Sequence, residues 1–185
     1  MVLPQDLQEK MDREVAAAAT NSFDGPKFEL DLRSGDSITM LIRAHLYLEH
    51  VLIQTLLDAF EHPNEMQLRN INFPAKLNLG IAMGIIGQEW RQPVTLVNQI
   101  RNKVAHRLDY QFTEVEKLEI FESLPDWAKK IVTSDAKTED VNAMEWWHLL
   151  ASVVAILDLL RQRVAVNRVK ERIGHEHLRR VLDRK

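Results

Sequence analysis

The stretch "NQIRNKVAHRLDY", residues 98–110, sets Arg101 beside Asn102 and places His106 one helical turn further on. An imidazole exchanges protons near neutral pH. A guanidinium brings fixed charge and forked donors for phosphate oxygens. Asn102 and His106 are four apart, so on a helix they share a face and the amide can orient the ring. Together these groups suit cleavage of RNA without a metal. That reaction needs a proton acceptor for the ribose 2′-OH, a donor for the leaving 5′ oxygen, and positive charge at the phosphate. One histidine per chain is short of an acid and a base, and a two-fold contact between chains would bring in a second copy.

Structural roles for the same residues stand beside this one. Arg101 could pair with an acid such as Glu49, Asn102 could cap a neighbouring turn, and His106 could be a hydrogen-bonded packing residue. Other chemistries are set aside. The sequence has no Gly-rich phosphate loop, no Gly-x-Ser-x-Gly elbow and no His-Glu-x-x-His helix. His45 and His50 flank Glu49 in "HLYLEH", but five residues separate them, about 140° around a helix, which disfavours a shared metal. His175 and His177 diverge further. No metal site and no cofactor are expected. Trp146 and Trp147 are expected to bury area rather than form a stacking platform.

The elements that must hold the trio are helical. A first helix enters at Pro4 and runs through Ala16–Ala19, and "TNSFDGPK" breaks it. "KFELDL" alternates Phe28, Leu30 and Leu32 with polar residues, so a short strand or extended arm is expected there. Residues 1–35 form an N-terminal extension of helix and arm, and 36–185 form the bundle. From "DSITMLIRAHLYLEHVLIQTLLDAF" a long amphipathic helix is expected, capped by Asp36 or Ser37. "FPAKLNLGIAMGIIGQ" reads as a helix from Pro74 to Gly87, its Gly80 and Gly84 spaced for close helix packing. The trio's helix begins near Pro93, with Val97, Ile100, Val104 and Leu108 as its apolar stripe. Thr113 and Glu116 have the spacing of a capping box, so a further helix starts at Glu114 and yields at "SLPDW". The last segment, roughly 140–172, is apolar on one face and is extended by "IGHEHLRRVLDRK". Short connections favour antiparallel neighbours.

Composition sets the bounds. At 185 residues and 45% hydrophobic, the chain can bury one core with extensions. It has no cysteine, which removes disulfides and thiolate chemistry and suits a reducing compartment. With no signal-peptide pattern and no uninterrupted apolar span, a cytoplasmic protein without membrane association is expected. The net charge of −3 is uneven: residues 161–185 hold nine Lys or Arg against three acids, so the rest carries −9. Such a basic end can face nucleic acid or an acidic partner, or be the solvated end of a surface helix.

"RNKVAH" resembles the Arg-Asn-x-x-x-His signature of the HEPN superfamily, and the resemblance covers roughly residues 36–165. "RAHLYLEHVL", "FPAKLNLGIAMGII" and "IRNKVAHRLD" are also similar to the mannitol-operon repressor branch of small bacterial helical proteins, described as a transcriptional regulator. The resemblance implies an all-α antiparallel bundle of four to five core helices. It further implies a homodimer acting as a metal-independent endoribonuclease of the toxin type, with RNA as substrate and a cognate antitoxin as partner. His106 would be general base or acid, Arg101 would hold the scissile phosphate, and Asn102 would orient the others. Glu49 and Arg43 on the preceding long helix would complete the site, and Arg107 would add charge for RNA. The branch resemblance implies the alternative, a non-catalytic regulator or interaction module. No helix-turn-helix reader is visible.

Overall fold

A computed structural model describes residues 3–107, 109–111 and 113–183. The described residues are all-helical, with no strand among them: α1 (Gln5–Ala18), α2 (Gly25–Arg33), α3 (Ser37–Ala59), α4 (Phe73–Ala82), α5 (Arg91–His106), α6 (Glu114–Ser123), α7 (Asp126–Ala136) and α8 (Trp146–Leu182). Short 3-10 turns at Pro63–Glu65, Leu68–Asn70 and Gln88–Trp90 lead into α4 and α5. No described helix is long and apolar enough to cross a membrane.

Two long helices carry the core. Asp36 starts α3 by accepting the Thr39 N–H at 2.7 Å. From there Leu41, Leu48, Leu52 and Leu56 are buried on one stripe, and the first three share one core with Leu149, Val153, Ile156 and Leu157 of α8. At 37 residues, α8 runs about 55 Å. Its first half belongs to the bundle, and its second half continues through Gly174 and is covered by α1.

The N-terminal segment differs from an extended arm. Residues 25–33 are helical because Asp24 accepts the Lys27 N–H, Pro26 suits the first turn, and the residues that bury are Phe28 and Leu32, four apart. Leu30, the middle member of the period-two pattern, is 66% exposed. α1 lies along α8 through buried Leu7 and the ion pairs Lys10–Glu176, Arg172–Glu14 and Arg180–Asp6. Between α1 and α2, Arg161 donates to the Thr20 carbonyl, to Asp158 and to Asp58, while Asp158 accepts the Ser22 N–H.

α4 stops at Ala82, short of the expected Gly87. Gly84 takes φ +70°, and the N–H groups of Ile85 and Ile86 fold back to the Gly80 carbonyl, each at 3.1 Å. A Cβ on Gly80 would sit 2.5 Å from Ile86 Cδ1. This glycine pair therefore serves a tight reversal, not a helix–helix contact. The "SLPDW" break is brief: α7 restarts behind Pro125 and ends at Lys137 in the left-handed conformation. The last helix begins at Trp146, later than the expected 140.

Candidate functional site

α5 carries the site. Pro93, Val94, Val97 and Ile100 are buried on one side and Val104 half-buried, while the expected stripe member Leu108 lies outside the described residues. At 3.6 residues per turn, Arg91, Thr95, Gln99, Asn102 and His106 fall within about 80° of arc on the opposite side. Asn102 and His106 are exposed, Arg101 half-buried. Arg101 Nη1 donates to Asn102 Oδ1 at 3.2 Å. The expected Asn102–His106 hydrogen bond is thereby replaced: the amide oxygen serves the guanidinium, and the imidazole has no hydrogen-bond partner among the described residues. His106 is the last residue of α5 and Arg107 follows in extended backbone, its side chain also exposed.

Behind Arg101 lies a polar contact that the residue pattern concealed. His45 of α3 is 5% exposed and its Nε2–H donates to Asn98 Oδ1 at 2.9 Å, with the Phe73 ring 4.4 Å from the imidazole. Burial holds the His45 pKa below its ordinary value, and the nearby Arg101 charge pushes the same way against the Asn98 bond. Part of the signal was present in the sequence: His45 falls on the apolar stripe of α3, whereas Asn98, one turn before Asn102, stands at the edge of the polar stripe of α5.

The far end of α5 is clipped to α6. Lys103 Nζ meets Glu116 Oε1 at 2.8 Å, the Tyr110 hydroxyl donates to the same oxygen, and Glu116 Oε2 accepts the Thr113 N–H at 2.9 Å. With the Thr113 side chain accepting the Glu116 N–H, this is the capping box expected at Glu114. Burial pushes the Glu116 carboxyl up, but the bonds from Lys103 and Tyr110 outweigh it and hold the pKa below the usual value.

The two supporting residues from α3 point elsewhere. Glu49 Oε1 takes the ammonium of Lys76, a lysine 1% exposed, at 2.6 Å. Arg43 Nη1 donates to the Asp31 and Ser34 carbonyls at 2.7 and 3.0 Å and to Ser34 Oγ at 2.8 Å. Glu49 thus neutralises a buried cation, and Arg43 fastens α2. Among the described residues, neither is joined to the trio by a hydrogen bond or ion pair. The structure also divides the basic end of the sequence: Arg161 is buried in its own network, Arg172 and Arg180 meet acids of α1, and Arg163, Lys170 and Arg179 are left as exposed cations. Trp147, half-buried, takes the Arg33 guanidinium at 4.1 Å from its ring centroid.

No family model, no curated protein and no solved structure matches the chain.

Proposed function

We propose that the protein is a metal-independent endoribonuclease of the HEPN type, acting through Arg101, Asn102 and His106. The observation that carries this reading is the idleness of His106: an exposed imidazole at the end of α5, on the same stripe as Asn102, with no packing or hydrogen-bonding duty among the described residues. Arg101 likewise has no acid partner there; it spends one N–H on Asn102 and keeps charge for a phosphate.

The reaction follows from these groups. The ribose 2′ oxygen loses its proton to one imidazole and attacks the adjacent phosphorus. The bond from phosphorus to the 5′ oxygen breaks, and an imidazolium returns a proton to that oxygen. The products are a 2′,3′-cyclic phosphate and a 5′-OH. Arg101 stabilises the charge that builds on the phosphate, and Arg107 adds attraction for the strand. A homodimer would provide the second His106 across a shared cleft. Ile38, Ile42 and Leu46, one turn apart on α3 and 39%, 40% and 58% exposed, form an apolar strip suited to such a contact.

That same strip favours a second reading, a non-catalytic interaction module in which α3 docks a regulatory partner. The deciding experiment is cleavage of RNA in EDTA by wild type, Arg101→Ala and His106→Ala, with circular dichroism of each and analysis of product ends. Cleavage by wild type alone, leaving cyclic phosphate, supports the ribonuclease. Equal cleavage by all three, or none by wild type, gives precedence to the interaction module.

A further inference from the structure

We infer that the groove between α4 and α5 is a docking site for unpaired bases of single-stranded RNA, adjoining the phosphate at the trio. The inference rests on the ribonuclease reading for its position and on the groove's own chemistry for its ligand.

The groove has a volume of about 580 Å³. Its floor is apolar, with Phe73, Pro74 and Leu77 of α4, and its α5 wall presents Arg91, Thr95, Asn98 and Gln99. Gln99 and Thr95 belong to the stripe that continues to Asn102 and His106, so the groove ends at Gln99, about one turn short of Asn102. From Gln99 to Asn102 the helix rises only about 4.5 Å.

Asn98 supplies the pointed observation. It is 8% exposed, and its Oδ1 is taken by the His45 N–H. Its NH2 donates to no described residue and opens onto the groove. The amide is thereby fixed in one orientation with a donor held out. Fixed amides and hydroxyls over an apolar floor are the groups that read the hydrogen-bonding edges of splayed bases. Charge points the same way: no carboxylate lines this groove, whereas Glu49, Asp31, and Glu89 with Glu171 line the grooves beside α3 and α8. A phosphodiester backbone meets no like charge here, and Arg91, bonded to Asn78, stands at the outer end.

The test uses the full chain carrying His106→Ala, so that RNA is bound and not consumed. Fluorescence anisotropy is read with a labelled mixed-sequence single-stranded RNA and with the same oligonucleotide made abasic. Thr95→Glu and Gln99→Glu are added separately, with Gln8→Glu on α1 as a charge-matched control. The inference expects roughly tenfold weaker binding of the intact RNA by each groove variant and little change for the control, the size of one lost base contact. The abasic RNA should bind weakly to all of them.

Equal losses for groove and control variants, no loss for the groove variants, or an abasic RNA that binds as well as the intact one would each overturn it. So would a protein that binds no RNA at all. Wild-type cleavage in EDTA separates the two ideas. A protein that cuts RNA with groove-independent affinity loses only the groove, and one that binds RNA through the groove without cutting loses only the ribonuclease.

Discussion

His45 and Asn98 form a buried hydrogen bond across the seam of α3 and α5, and it lies one turn below Arg101. The contact fixes the imidazole with its proton on Nε2 and fixes the amide that faces the α4/α5 groove. Charging that ring would place a third cation near Arg101 and Lys76.

Acid should therefore loosen this seam. Burial holds the folded pKa of His45 below the ordinary histidine value of about 6.5, so the unfolded chain takes up the proton first as pH falls. His45 favours folding fully above about pH 6.5 and loses that contribution as pH drops from there toward the folded pKa. Urea unfolding at pH 7.5 and pH 5 should show a larger acid loss for wild type than for His45→Gln. Equal losses would show that the ring does not report on this seam.

Glu49 should prove a stability residue. Glu49→Ala leaves the Lys76 ammonium in the core without a counter-ion, at a cost on the order of 3 kcal/mol. Adding Lys76→Met should restore most of the unfolding midpoint, because the cation goes with its partner. A Glu49→Ala protein of unchanged stability that had lost RNA cleavage would instead place the carboxylate in the chemistry.

Arg161→Ala should act on two places. It leaves Asp158, 1% exposed, without its cation, and it releases the Thr20 carbonyl between α1 and α2. A destabilisation of about 3 to 5 kcal/mol is expected. In hydrogen exchange, amides of α1 should open before those of α3, since α1 has one buried side chain and several exposed ion pairs. Uniform opening of both helices would contradict this order.

How far the residue pattern reached depended on what each element needed. The capping box at Thr113 and Glu116, the long apolar stripe of α3 and the helix bearing the trio were legible, because local spacing alone decides them. α2 was not, since two buried residues four apart and an exposed leucine between them satisfy period two as well as a helix. The reversal at Gly84 was hidden because its cause is Ile86 packing onto Gly80. Arg101, Asn102 and His106 were singled out by type and spacing, but the partners of Glu49, Arg43 and Asn98 are set by tertiary contact. Lys76 is 27 residues from Glu49 and His45 is 53 from Asn98, separations that no local pattern encodes.

The clip at Glu116 gives α6 a mechanical role. Its carboxylate holds Lys103 on the last turn of α5, so the rotation of α6 and the pitch of that turn are geared together. Val115 and Leu118 stand out from α6, 65% and 42% exposed, on either side of the geared residue. Glu116 is thus a charged tie, within the packed α5–α6 contact, between these outward-facing residues and the turn that carries His106.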